Sequence, residues 1–305
     1  QYAIPTFTCS LAHDSANHEK KMVGKKQIEV KLDGVRVITI IRGNKVEMFS
    51  RNGKQFDNFG HIEEQVRDNW IKIARGHQNA LINGFVLDGE VIGNSFQELM
   101  RQARRKTGVQ AEDSVYNVFD ILPLEAFREG HWNTQLEKRI RILDDMRPII
   151  DTMPNVELLP HIMVDLDTAA GKDQLERYAK DNVNAGFEGI MIKELEAPYI
   201  CKRSTDWMKW KPTLTVDLEV VGVEEGTGRN LGRLGALVCH GVDDGKEITV
   251  NVGSGFSDID RDDYWTNRNL VIGRTAEVLC DVITQNQDGT YSLRFPRFVR
   301  FRDDK

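Results

Sequence analysis

A chain of 305 residues, 40% hydrophobic and 29% charged, is long enough for two domains and has the composition of an ordinary globular protein. No apolar run reaches the roughly 20 residues of a membrane-spanning helix, so no membrane partner is expected. The net charge of -6 argues against a uniformly basic nucleic-acid binder, but phosphates respond to local patches, and two exist: Arg101, Arg104, Arg105 and Lys106, then Arg294, Arg297, Arg300, Arg302 and Lys305.

From charge alone both patches read as solvated faces. The four cysteines, Cys9, Cys201, Cys239 and Cys280, form no C-x-x-C pair and read as reduced cytosolic cysteines, Cys201 as a packing residue. The start, Gln1-Tyr2-Ala3-Ile4-Pro5, lacks an initiator methionine and a signal-peptide shape, and reads as a trimmed beginning.

In chain order, β-branched alternation predicts two strands over Gln27 to Ile41, broken at Asp33-Gly34, and a hairpin partner over Lys45 to Ser50 across Gly43-Asn44. His61 to Ala74 is a helix with Ile62, Val66, Trp70 and Ile73 on one face. A strand at Phe85–Leu87 precedes a basic helix capped by Ser95 and Glu98. A strand at Tyr116–Phe119, a helix entered through a Thr134/Glu137 capping box, and a strand at Val156–Leu159 follow. A helix over Thr168 to Ala185, ended near Gly186, leads to a strand at Gly189–Ile192.

After Lys211-Pro212 the texture changes. About five short strands, separated by glycine-rich or acidic turns and one helix near Asp260 to Arg268, predict a small closed barrel of the OB type. The expected architecture is α+β: residues 1–212 with antiparallel sheets and flanking helices, then a β-barrel over 213–305.

No Walker loop is present, and Gly226-x-Gly228 lacks the third glycine of a dinucleotide fingerprint. The candidate for phosphate chemistry is Glu29-Val30-Lys31-Leu32-Asp33-Gly34-Val35-Arg36, a lysine at a strand end before a tight turn. Neutral, such an amine is a competent nucleophile toward phosphorus. Alone, the pattern fits a surface lysine before a hairpin equally well. Other segments follow in order. Val86-Leu87-Asp88-Gly89-Glu90 ends a strand with a carboxylate, and Tyr116-Asn117-Val118-Phe119-Asp120 ends one with an aromatic. Glu188-Gly189-Ile190-Met191-Ile192-Lys193 starts with a carboxylate and ends with a lysine, and Trp207-Met208-Lys209-Trp210-Lys211 puts two lysines on one strand face. Arg302-Asp303-Asp304-Lys305 closes the chain.

This series resembles the covalent nucleotidyltransferase superfamily and, within it, the ATP-dependent DNA ligases. All six family motifs occur in order from Lys31 to Lys305. Gly226-Thr227-Gly228-Arg229, Val252-Gly253-Ser254-Gly255-Phe256-Ser257-Asp258 and Arg297-Phe298-Val299-Arg300-Phe301-Arg302 are similar to ligase second-domain elements, and the ending looks most like tailed-phage and viral ligases. Larger ligases carry a helical DNA-binding domain ahead of this region; here thirty residues precede Lys31.

The resemblance implies an adenylation domain followed by an OB-fold. Its implied reaction seals 3'-OH/5'-phosphate nicks in duplex DNA through a lysyl-AMP on Lys31 and a 5'-adenylylated strand. Glu29 would recognise the adenine amino group, Phe119 would stack on the base, and Arg36 and Arg51 would bind ribose or the 5'-phosphate. Glu90 would hold ribose or support Mg²⁺, with Glu188 the stronger metal ligand. Lys209 and Lys211 would neutralise the α-phosphate, and Arg302 and Lys305 would orient pyrophosphate. Lys193 is left as catalytic support or a plain strand-end lysine.

ATP as AMP donor, nicked DNA as partner, a monomeric state and a cytoplasmic setting (nuclear only in a eukaryotic host) complete the expectation. A capping guanylyltransferase or RNA ligase shares the K-x-D-G signature, but the G-x-G-F-x-D element and the ending favour DNA ligase. A non-catalytic OB module binding single strands leaves the first 212 residues unexplained.

Overall fold

The computed structural model describes residues 7–93, 112–211 and 213–302. The basic cluster at 101–106, the Ser95/Glu98 cap, Pro212 and Lys305 lie outside the described residues. The chain divides into two compact units, Gln1–Trp210 and Lys211–Lys305.

The first unit runs β1 (Leu11–Asp14), β2 (Lys25–Val30), β3 (Val35–Arg42), β4 (Lys45–Phe49), β5 (Gln55–Phe56), α1 (Gly60–Ala74), α2 (Gln78–Leu81), β6 (Phe85–Ile92) and β7 (Val115–Pro123). It continues through α3 (Leu124–Glu129), β8 (His131–Trp132), α4 (Leu136–Asp145), α5 (Arg147–Ile150), β9 (Val156–Leu158), β10 (His161–Asp165), α6 (Ala169–Asn184), β11 (Ile190–Glu194), β12 (Tyr199–Ile200) and β13 (Arg203–Trp210). These strands form a five-stranded sheet, β1-β13-β11-β2-β10, and a six-stranded sheet, β5-β4-β3-β6-β7-β9, besides the short β12-β8 pair. Pairing is antiparallel except for β1 with β13 and β7 with β9.

The chain therefore changes sheet between β2 and β3, across residues 31–34. That crossing places Lys31 at the junction. Gly34 is required there because a Cβ would lie 2.3 Å from the Val91 carbonyl oxygen of β6.

β3 carries aliphatic residues on both faces because both are covered. Val37 and Ile41 join a core with Ile62, Val66 and Ile73 of α1 and Leu143 of α4. Ile38 and Ile40 point the other way, into a core shared with Tyr199 and Trp207. On the five-stranded sheet, Ile28, Ile190 and Ile192 pack on Leu175 and Ala179 of α6. α6 starts where the Thr168 side chain accepts the Gly171 amide at 2.9 Å, and stops before Gly186 at φ +102°.

Three local expectations are corrected. The Thr134/Glu137 capping box does not form: Gln135 occupies the N-cap of α4 without a side-chain bond, and the Thr134 carbonyl accepts from buried Arg139 at 2.6 Å. The strands carrying Glu90 and Phe119 do not end at those residues; β6 runs to Ile92 and β7 to Pro123, bent by a bulge between Asp88 and Gly89. β13 ends at Trp210, so Lys211 lies past the strand rather than sharing a face with Lys209.

The second unit contains β14 (Leu214–Glu225), β15 (Leu234–Asp243), β16 (Lys246–Val252), α7 (Asp258–Thr266), α8 (Arg268–Val271), β17 (Thr275–Cys280), β18 (Val282–Gln285), β19 (Tyr291–Arg294) and β20 (Arg297–Arg302). They make one curled sheet of seven strands, β18-β19-β16-β15-β14-β17-β20, rather than about five in a closed barrel. Its end strands β18 and β20 do not pair among the described residues. Two bulges in β14 supply the bending. α7 opens with a Ser257/Asp260 capping box. Phe256, Tyr264 and Trp265 pack against the core beside Phe298 instead of standing out as base platforms.

Candidate active site

A cavity of about 230 Å³ opens in the first unit. Its lining comes from both large sheets: Glu29 of β2, Arg36 of β3, Glu90 of β6, Phe119 of β7, Met191 and Lys193 of β11, and Arg203, Trp207 and Lys209 of β13. Lys31 and Leu32 from the sheet-crossing turn, Arg51 from the turn after β4, and Leu11 and Ala12 of β1 also line it. Seven of the predicted site residues thus meet: Glu29, Lys31, Arg36, Arg51, Glu90, Phe119 and Lys209.

Lys31 is held by its backbone, whose amide donates to the Gly189 carbonyl at 3.0 Å. Its Nζ donates to Glu188 Oε2, also at 3.0 Å, with both side chains about a quarter exposed. Glu188 therefore joins the site through Lys31 although it does not line the cavity.

Glu90 accepts the Gly34 amide at 3.2 Å. Burial pushes its carboxyl up to about 7, against the pull of Arg36 and Lys31. Arg36 is clasped by both oxygens of Asp88 at 2.6 Å and donates to the Ser10 carbonyl at 2.9 Å. Burial works against its charge, and the Asp88 carboxylate restores it, so Arg36 stays cationic. Tyr199 donates to the same Asp88 at 2.6 Å.

Lys193 Nζ meets Glu29 Oε1 at 2.8 Å, with both side chains 2% exposed. The lysine sits 4.1 Å from the Phe119 ring centroid and 4.0 Å from that of Trp207. The cavity thus has a cationic mouth, an aromatic wall and a buried carboxylate.

Three further predicted residues belong to the second unit. Lys211 is exposed and belongs to the second unit. Arg302, also of that unit, lies within 4.0 Å of Asp217 and 3.9 Å of Glu277. Its neighbours in the basic ending are likewise matched by acids, Arg297 with Asp281 and Arg300 with Glu277. Lys305 is outside the described residues.

The sequence reading missed the Asp88–Tyr199 clasp on Arg36, the contributions of β1 and Arg203, and the central position of Lys193. A signal for Asp88 was available: residues two apart on a strand share a face, so Asp88 accompanies Glu90. Trp207 is buried and also walls the cavity.

Among the described residues no three His, Cys, Asp or Glu side chains gather as a metal centre. A magnesium ion needs fewer, commonly one or two carboxylates completed by phosphate and water. Glu90 and Glu188, both beside Lys31, fit that requirement.

Comparison with known proteins agrees with this arrangement. A family model described as ATP dependent DNA ligase domain matches residues 9–211, and one described as DNA ligase OB-like domain matches residues 225–302. "DNA ligase 2" of Methanosarcina acetivorans is 30% identical, covering 91% of this chain and 52% of the relative. The chain spans about half the length of such archaeal relatives.

A solved structure named Pmar-Lig_PreS3 is 50% identical with a TM-score of 0.69, over 99% of this chain and 69% of that one. The ATP-dependent DNA ligase from bacteriophage T7, solved in complex with ATP, shares the fold at 19% identity and a TM-score of 0.57, covering 98% of this chain and 99% of its own. With its cavity built from the ligase motifs and two thirds of its length matched by the family model, the chain belongs to the ATP-dependent DNA ligases.

Proposed function

We propose that this chain seals nicks in duplex DNA, using ATP to adenylylate Lys31 and passing the AMP to the 5'-phosphate of the nick. The observation that carries the reading is Lys31 itself, anchored at the sheet crossing on the rim of a cavity that offers a carboxylate, an aromatic ring and cations to one nucleotide.

An amine attacks phosphorus only when neutral. Glu188, 3.0 Å from Nζ, is positioned to take part in moving that proton. Phe119 supplies a ring face for the base and Glu29 an acceptor at its edge. Lys209 and Arg51 present charge to phosphate groups, and Arg36, fixed by Asp88, does so from a rigid position. Glu188 and Glu90 hold magnesium, which supplies charge neutralisation at the phosphates when bound. Lys211 joins Lys209 in neutralising the α-phosphate, and Arg302 and Lys305, from the second domain taken as 213–305, orient the departing pyrophosphate. The protein acts as a monomer in the cytoplasm.

Mass spectrometry of the purified protein incubated with ATP and Mg²⁺ tests this. One covalently added AMP is expected, lost in Lys31→Ala; an unmodified wild-type mass overturns the reading.

A further inference from the structure

Lys193 has no role in the reaction so far, yet it is the most deeply buried cation lining the cavity. A lysine that is 1% exposed is costly unless its ammonium is paired. Here it is held three ways, by the Glu29 carboxylate at 2.8 Å and by two aromatic rings about 4 Å from Nζ.

Register explains the convergence. Lys193 of β11 stands opposite Gln27 of β2, and both donate to one oxygen of Glu29, at 2.8 and 3.3 Å. The other oxygen, Oε2, is buried and has no partner among the described residues. An unsatisfied buried acceptor costs about 1–3 kcal/mol, and this one belongs to a residue lining a ligand cavity. A carboxylate only accepts, so its missing partner is a donor, and an amino group on the edge of a bound base would supply one. Beside it stands Phe119, whose ring is the stacking face and is braced by the same ammonium.

We propose that Lys193 is the positioning residue for nucleobase choice: it holds Glu29 as an aimed acceptor and fixes Phe119 beside it, so that the cavity takes a 6-aminopurine nucleotide and rejects a 6-oxopurine. A 6-oxo group would set lone pairs against the carboxylate. Without the ammonium, a buried carboxylate favours its neutral form, which also donates and so tolerates a 6-oxo group. The inference rests on the nucleotide-transfer reading above.

The test compares single-turnover labelling of the full chain by ATP and by inosine triphosphate, whose base carries a 6-oxo group. Lys193→Met is expected to raise the half-saturating ATP concentration about tenfold, change the maximal rate by less than about threefold, and reduce the ATP preference at least ~10-fold. Lys193→Arg, which keeps the cation, restores preference. An unchanged preference in folded Lys193→Met, or a loss confined to maximal rate, overturns the proposal.

If Lys193→Met fails to fold, the pair Glu29→Gln and Glu29→Gln/Lys193→Met, which leaves no buried charge, decides. Because Lys193 acts through Glu29, the second substitution adds no further loss of preference; additive losses overturn the proposal. Absence of any wild-type label from ATP sinks the nucleotide-transfer reading instead, and calorimetric binding of the two nucleotides then tests Lys193 separately.

Discussion

Asp88 grips Arg36 with both carboxylate oxygens, from a position of zero exposure. The pair ties β6 to β3, and through Tyr199 and Ser10 it ties both to β12 and to the segment just before β1. Removing one member of a buried pair leaves a charge without its partner, at a cost of about 3–5 kcal/mol. Asp88→Ala is therefore expected to lower the unfolding free energy by that amount in a denaturant titration and to weaken nucleotide binding. A stability within 1 kcal/mol of wild type, taken as roughly the value of an exposed pair, would mean the clasp is solvated.

Glu188 makes a different kind of contact, about a quarter exposed and directed at the proposed nucleophile. Glu188→Ala is expected to leave the melting temperature nearly unchanged and to reduce nick sealing by about 10²-fold or more. Near-normal sealing in saturating Mg²⁺ would reduce Glu188 to a structural charge.

The C-terminal residues separate the steps of the reaction. Pyrophosphate leaves during adenylylation of Lys31 and is absent during sealing, so a charge that serves only its departure affects only that step. Deleting residues 302–305 is expected to block self-adenylylation while sparing sealing of a nick already carrying 5'-AMP. Equal loss of both would assign the tail to holding the sheet of the second unit, where Arg302 pairs with Thr275.

Glu63, in the first turn of α1, carries a carboxyl pushed up to about 7 by burial, with Glu47 and Asp57 adding to the shift and Arg67 opposing it. Its folded-state value is raised, so its contribution is fully present below pH 4.5 and is lost as pH rises through about 7. Glu63→Gln is expected to raise the melting temperature by about 2 °C at pH 8 and not at pH 4. A gain of equal size at both values would trace the effect to helix propensity instead.

The residues that punctuate the chain were the legible ones. Asp33-Gly34 marked the break that became the sheet crossing, Gly186 ended α6, and the apolar face of α1 was read from its spacing. β1 was not legible: four residues with a single aliphatic of any size carry no alternation, and only pairing with β13 makes them a strand. The site divided the same way. Seven residues given roles by the motifs line the cavity, whereas Tyr199, not singled out, and Lys193, left open between support and a plain strand-end lysine, took their meaning from partners more than a hundred residues away, Asp88 and Glu29. Hydrophobic period reports which face is buried, not which buried polar groups meet.

The parallel pairing of β1 with β13 sets an order in time. Leu11 leaves the ribosome about 190 residues ahead of its partner Arg203, a delay of roughly 10–40 s at ordinary rates of synthesis. Through that interval the nascent chain carries Leu11 and Ala12, one edge of its future cavity, with no strand to dock on. The nucleotide pocket is therefore among the last features of the first unit to close, and a chain arrested before β13 holds the Lys31 turn without the wall that makes it an active centre.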